Sequence, residues 1–295
     1  MNLQRIFFNT EDQIELTGLL AEPASKSKKV IISIHGMQSN CLKRREAILE
    51  KQYIENNVAY FSFNNRGQDL MCYTKNINGG KTLNGGSVFE DVLDSYYDVK
   101  ASIEKMLECG YKEIYLQGHS LGCTKIIYSY NRLKKENYDK LEFIKGIILL
   151  SWVDIIELQK YELGKDKYDK MLALAEKMEN EGNGQLLMPK DAFEHPISVK
   201  SYLRYYRDNK EIDFARFSEN NFNFETVNNI KIPLFLRWGN IHDLVIQNLN
   251  DLILFLKEKI KNNNLDIGYI DGADHGYTAK ETEVAKEILD FVFNK

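Results

Sequence analysis

Glu113-Ile114-Tyr115-Leu116-Gln117-Gly118-His119-Ser120-Leu121-Gly122 is the stretch whose reading decides the fold. An alternating apolar run ends in Gly-x-Ser-x-Gly and passes at once into the helix-like segment Cys123–Leu133. A strand that must become a helix within two residues forces its corner residue into a strained backbone, and bulky neighbours would collide there. Gly118 and Gly122 remove that crowding and leave the Ser120 hydroxyl standing clear at the top of a sheet.

Strands and helices alternate on both sides of this corner. Leu3–Asn9 and Ile14–Leu20 read as a hairpin-like opening. Val30–Ile34 is a short apolar run that suits a strand buried on both faces, and helical spacing follows over Leu42–Asn56. Val58–Phe63 is the next strand. The stretch Gln68–Ser87 is long, polar and glycine-dotted and reads as a loop. Val88–Glu108 has helical periodicity and stops at Gly110, a suitable cap. Phe143–Leu150 forms another buried strand. Alternation breaks at Ser151-Trp152, and helical pieces with no convincing strand continue to about Val227. It resumes with the strand Ile232–Trp238, a helix from about Val245 to Lys261, the strand Leu265–Ile270 and the helix Glu281–Phe293. The pattern predicts an α/β fold, a mostly parallel sheet flanked by helices. Its core comprises residues 1–151 and 228–295. Residues 152–227 form an inserted helical lid over the strands' C-terminal ends, where open α/β sheets bind ligands.

Bulk properties narrow the field. The 295 residues suffice for one large core. A net charge of −4 gives no electrostatic reason to expect nucleic acid or an anionic membrane as partner. Cys41, Cys72, Cys109 and Cys123 lie far apart with no Cys-x-x-Cys pair, which reads as free thiols in a reducing compartment. No apolar run approaches the ~20 residues needed to cross a bilayer, and Met1–Arg5 does not open a signal core. The expectation is a cytoplasmic protein without membrane insertion.

A serine hydroxyl is a weak nucleophile unless a base lies within hydrogen-bond reach and a third group fixes that base's tautomer. Downstream of Ser120 stand His195, His242 and His275. His275 lies just past the last strand, where a loop can hang the imidazole over the sheet edge. His195 sits inside the inserted segment, and His242 reads as a surface neighbour of the acid. The candidate acids are Asp243, which follows the strand Ile232–Trp238, and Asp154, which follows the strand Phe143–Leu150. Asp243 can also serve as a helix cap. An oxyanion needs donors fixed in advance. Leu121 N–H, at a helix N-terminus, and Met37 N–H, behind His35-Gly36, are the two candidates. His35 and His119 read as structural hydrogen-bonders, and Cys123 as a buried thiol one turn into the helix.

With His35-Gly36, Asn65-Arg66-Gly67, Gly118–Gly122, Asp243 and Asp274-His275-Gly276 in place, the chain resembles the α/β-hydrolase superfamily from about residue 10 to the end, apart from the lid. The resemblance implies an eight-stranded sheet with an antiparallel second strand. It also implies a catalytic order Ser, acid, His, which points to Ser120, an acid and His275; Asp243 is preferred to Asp154 because it follows the strand immediately before the one bearing His275. Arg66 takes the family's role of bracing the loops behind the oxyanion hole. Cys123, where many relatives carry a second Gly or Ala, and the long 68–87 stretch depart from the pattern without removing a catalytic part. Within the superfamily the chain is similar to carboxylesterases and to monoacylglycerol-lipase-like or feruloyl-esterase-like enzymes. Through Phe89-Glu90-Asp91 and Gly118–Lys125 it is also similar to siderophore-esterase-like hydrolases.

Other signals carry less. Gly79-Gly80-Lys81-Thr82 lacks the first glycine of a phosphate loop, that position being Lys75. The lid's Tyr202, Tyr205, Tyr206, Phe214, Phe217, Phe222 and Phe224 read first as helix packing, and second as an aromatic substrate pocket. Trp152–Thr226 holds 11 basic and 15 acidic residues, which argues against strongly anionic substrates. No cluster has metal-ligand spacing, and the mechanism needs no metal or organic cofactor. The expected activity is serine-dependent cleavage of a small to medium carboxylic ester through an acyl-enzyme. Thioesterase, amidase and acyltransferase chemistry would use the same residues. A catalytically silent binding protein would lack one of them, and none is lacking.

Overall fold

The computed structural model describes residues 2–209, 211–212 and 214–294. Its strands are β1 (Asn2–Asn9), β2 (Ile14–Glu22), β3 (Lys29–Ile34), β4 (Ala59–Asn64), β5 (Cys72–Asn76), β6 (Thr82–Gly85), β7 (Glu113–His119), β8 (Ile144–Leu150), β9 (Leu234–Gly239) and β10 (Leu265–Ile270). Its helices are α1 (Arg44–Glu55), α2 (Ser95–Glu108), α3 (Leu121–Lys135), α4 (Ile155–Leu163), α5 (Lys165–Asn180), α6 (Val199–Tyr206), α7 (Glu225–Asn228), α8 (Leu249–Lys259) and α9 (Glu281–Asn294). All the strands join one sheet in the order β10-β9-β8-β7-β3-β4-β2-β5-β6, with β1 also paired to β2. From β4 to β10 the neighbours run parallel. β2 is antiparallel to both β1 and β4. The fold is therefore an α/β sheet flanked by helices, with the antiparallel second strand that the resemblance implied.

Alternation along the central strands supplies a core on each face. Val30, Ile32 and Ile34 of β3 pack with Phe61, Phe63 and Leu116 against Val99 and Ile103 of α2 and Ile126 and Ile127 of α3. Ile31, Tyr60, Tyr115, Ile148 and Phe235 point the other way, onto Leu49 and Tyr53 of α1 and Val284, Ile288 and Phe291 of α9. Each such fully buried side chain is worth roughly 1.5–3 kcal/mol relative to exposure. The segment between β8 and β9 carries α4 to α7, and most of its aromatic residues are buried, so packing is their first role. Tyr202 and Tyr206 sit with ring centroids 4.9 Å apart, and Phe217 meets Trp152 edge-on at 5.2 Å.

The structure corrects two features: the sheet has ten strands where the resemblance implied eight, the β5–β6 hairpin being the addition, and the stretch 68–87 is not a loop. It contains the β5–β6 hairpin, which extends the sheet from β2. β5 and β6 bury almost nothing on either face, so they lack the apolar alternation that marks a half-buried strand. Gly79 and Gly80, at φ 96° and 66°, make the turn between them.

At the β7–α3 corner the chain is packed backbone against backbone. A Cβ on Gly118 would lie 2.6 Å from the carbonyl carbon of Gly122, and one on Gly122 would lie 2.2 Å from Ile34 O of the adjacent strand. Neither position has room for a methyl group. Gly122→Ala is therefore expected to destabilise the protein by about 1–3 kcal/mol, the usual penalty of overpacking, read as a lower urea midpoint at unchanged slope.

Candidate active site

Ser120 occupies the corner between β7 and α3 with φ 55° and ψ −125°, a conformation L-residues rarely hold. Its N–H donates to Leu150 O at 2.9 Å, which ties the corner to the end of β8. Asp243 follows β9, and His275 follows β10. The β9–β10 pairing brings these two loops side by side, and His275 Nδ1 lies 2.5 Å from Asp243 Oδ1. The carboxylate is held on both oxygens. Oδ1 also accepts from Leu244 N at 2.8 Å, and Oδ2 accepts from Gly239 N and from Ser151 Oγ, each at 2.8 Å. Asp243 does not cap α8, whose N-cap is Asn248. With Nδ1 engaged by the carboxylate, Nε2 on the far side of the ring is the nitrogen left for a substrate or nucleophile.

Ser120 and His275 line one cavity of about 290 Å³. Among the described residues no direct hydrogen bond joins them. Met37 and Leu121 form part of the same wall. The loop after β3 is pressed onto the corner at Gly36, where a Cβ would lie 2.9 Å from Ser120 Cβ and 3.2 Å from Leu121 N. The absence of a side chain there lets the loop pack directly against the corner. Val153, Ile155, Leu158 and Tyr206, from the segment between β8 and β9, supply an apolar wall opposite. A larger open groove beside Lys29 and Glu113, at the N-terminal ends of β3 and β7, holds no comparable set of groups.

Two buried histidines support this arrangement. His119 Nε2 donates to His275 O at 2.7 Å, with ring centroids 4.8 Å apart, so the loop bearing the imidazole is fixed from below. Burial holds the His119 pKa well below the usual imidazole value, and neighbouring Arg45 and His275 add to the effect. His35 donates from Nδ1 to Gly36 O at 2.9 Å and accepts at Nε2 from Asn65 N at 3.2 Å. Burial first, then the charge of Lys125, brings its pKa down to about 3. Burial thus favours the neutral form of both rings.

Ser151 and Tyr277 also belong to the site, and the sequence reading did not single them out. Ser151 Oγ bonds Asp243 and stands 3.1 Å from the Tyr277 hydroxyl, which in turn donates to Arg237 O at 2.7 Å. A polar residue directly after β8, the strand beside β9, is the signal that could have pointed to Ser151. Arg66 forms ion pairs with Asp98 and Asp12, each at 2.8 Å.

The remaining candidates lie elsewhere. Asp154 N-caps α4 through Glu157 N at 3.1 Å and accepts from Phe217 N at 2.9 Å, and burial pushes its carboxyl up to about 7. His195 lies 3.3 Å from Glu194, and His242 is exposed. Cys123 is buried, with Sγ 3.3 Å from Leu150 O, and burial raises its thiol pKa well above the usual range. Among the described residues no group of three or more His, Cys, Asp or Glu side chains could hold a metal ion. No described helix is long and apolar enough to cross a membrane.

The neutral histidines predict an acid-sensitive fold. Unfolded imidazoles take up a proton below about pH 6.5 that the native rings refuse. The unfolded state then binds more protons, so stability falls as pH drops, by roughly 1.4 kcal/mol per pH unit for each ring. Urea titrations at pH 6 and pH 5 should show this loss, and His119→Gln should lessen the slope by about one ring's share.

Known proteins resemble the chain mainly in structure. No curated protein matches its sequence. Est1E from Butyrivibrio proteoclasticus, solved with ferulic acid bound, superposes with a TM-score of 0.67 at 17% identity over 98% of this chain and 100% of its own. The Pyrococcus furiosus esterase Pf2001 gives 0.60 at 18% identity over 99% and 90%. Mouse alpha/beta hydrolase domain-containing protein 10 gives 0.60 at 15% identity over 98% of each chain. The family described as "Protein of unknown function (DUF1749)" matches residues 96–293, from α2 to the last helix. The chain has the α/β-hydrolase fold and belongs to the DUF1749 family.

Proposed function

We propose that the protein is a serine hydrolase that cleaves a carboxylic ester of small to medium size through an acyl-enzyme. The observation that carries this reading is the convergence of a strained serine and a carboxylate-bound imidazole on one largely apolar cavity. Ser120 Oγ attacks the ester carbonyl while His275 Nε2 takes its proton. Asp243 keeps the proton of the neutral ring on Nδ1 and stabilises the imidazolium that forms. Leu121 and Met37 N–H groups receive the oxyanion, and the N-terminal end of α3 adds a favourable dipole. His275 returns the proton to the leaving alcohol. Water, deprotonated by the same ring, then releases the acid.

Residues 152–227 act as the lid of this site, since they contribute Val153, Ile155, Leu158 and Tyr206 to the cavity wall. A cavity of about 290 Å³ suits a compact substrate, and the ferulic acid held by Est1E is an acid of that kind. Four unpaired cysteines fit a reducing compartment, which we take to be the cytoplasm.

Ser120→Ala should lower turnover of a p-nitrophenyl short-chain ester by at least roughly 10⁴-fold with the fold intact, and Asp243→Asn by roughly 10²–10⁴-fold. Wild-type turnover that survives in Ser120→Ala would discard the mechanism. A panel of esters, thioesters and amides, with and without competing alcohols, ranks the bond cleaved.

A further inference from the structure

Behind the corner, on the side away from the cavity, α3 carries Lys125, whose side chain is 0% exposed. Its ammonium lies 2.5 Å from Glu90 Oε1, on a carboxylate only 1% exposed, and donates to Asn65 Oδ1 at 3.1 Å. Room for that carboxylate exists because residue 67 is glycine, where a Cβ would fall 2.1 Å from Glu90 Oε1. Removing two charges from water is costly, and well-packed apolar side chains often serve stability as well or better. A pair kept at such a place calls for a use besides stability.

Hydrogen bonds lead from this pair to Gly36, which packs against the serine. Asn65, held by Lys125, donates from its backbone N–H to His35 Nε2 at 3.2 Å and from Nδ2 to His35 O at 3.3 Å. His35 passes the constraint on, donating from Nδ1 to Gly36 O at 2.9 Å. Gly36 is the residue pressed against Ser120 and Leu121, and Met37 comes next. The series works only while the His35 ring is neutral with its proton on Nδ1. The nearby ammonium favours that state.

We propose that Lys125, paired with Glu90, is a positioning residue for the oxyanion donors: through Asn65 and His35 it sets the loop that aims the Met37 N–H at the reacting carbonyl. This rests on the serine-hydrolase reading above. The same carboxylate accepts from the Tyr205 hydroxyl of α6 at 2.6 Å, and the adjacent Asp91 holds Arg204 through Nε at 2.7 Å and Nη2 at 3.0 Å. The ion pair is thus the point where the segment between β8 and β9 and the loop after β3 share one anchor.

The double variant Lys125→Met/Glu90→Gln removes both charges while keeping side-chain volume and an acceptor for Tyr205. The expected result is an unfolding midpoint near that of the wild type, a KM for p-nitrophenyl butyrate within about twofold, and a kcat lowered roughly tenfold or more. A folded double variant that turns over at the wild-type rate overturns the proposal. A second measurement uses the wild type alone and does not depend on how the variant folds. The ¹⁵N shifts of His35 should report a neutral ring with its proton on Nδ1 from about pH 5 to 8, and a proton on Nε2 or a titration in that range overturns it. Fluorophosphonate labelling of wild-type Ser120 keeps the two readings apart. Absence of labelling counts against the hydrolase chemistry itself, whereas labelling together with an unimpaired double variant removes only the role of Lys125.

Discussion

The ends of β3 and β7 approach one another so closely that only bare backbone fits between them, and the rest of the site follows from that contact. Gly122 sits against Ile34 O, Gly118 against Gly122, and Gly36 against the Ser120 Cβ. Each contact would be lost to a single methyl group. Because the strands are neighbours in a parallel sheet, their C-terminal ends open on the same side, and the loops they feed meet there. The strain at Ser120 is therefore an imposed geometry, fixed by the sheet on one side and by α3 on the other.

Around this contact the polar groups form two supports of different character. Beside His275, Asp243 is gripped by two backbone N–H groups and by Ser151, while His119 and Tyr277 hold the surrounding loops. Two backbone N–H groups and a hydroxyl carry no net charge, so no cationic side chain among them competes with the imidazole for the carboxylate. On the opposite side the support is ionic, with Lys125 and Glu90 sealed from water beneath Asn65 and His35. The difference matches the motions each side must resist. An imidazole needs one ring orientation, whereas a loop donor needs its whole backbone held.

Much of this was legible in the order of residues, and the remainder was hidden for definite reasons. Strands buried on both faces announce themselves as near-continuous apolar runs, and β3, β8 and β9 are of that kind, each with one polar break at Ser33, Lys145 or Arg237. The β5–β6 hairpin escaped because neither of its faces is buried, so it carries no period. Asp243 could be placed beside His275 from strand adjacency alone, and the competing reading as a helix cap fails because Asn248 takes that position. Glu90 and Lys125 lie in stretches that carry a family resemblance, but nothing in the sequence announces that they pair. A lysine within a helix ordinarily reaches solvent, and only the packing of α6 over the loop containing Glu90 closes water out. Ser151 was invisible for a simpler reason, since a serine after a strand is commonplace until its neighbours are known.

Asp154 gives the segment between β8 and β9 a closed base. Its carboxylate starts α4 and, on its other oxygen, catches the backbone of Phe217, more than sixty residues further along. Trp152 and Phe217 stack edge-on across the same junction. Once a chain excursion is fastened at its neck, its contour length hardly matters to the scaffold, because each doubling of a flexible loop adds only about 0.6 kcal/mol of closure entropy. Length added away from α6, whose Tyr205 and Arg204 hold Glu90 and Asp91, therefore disturbs the strands beneath little. The length of the segment is in that sense adjustable apart from the sheet, while α6 stays tied to the loop containing Glu90.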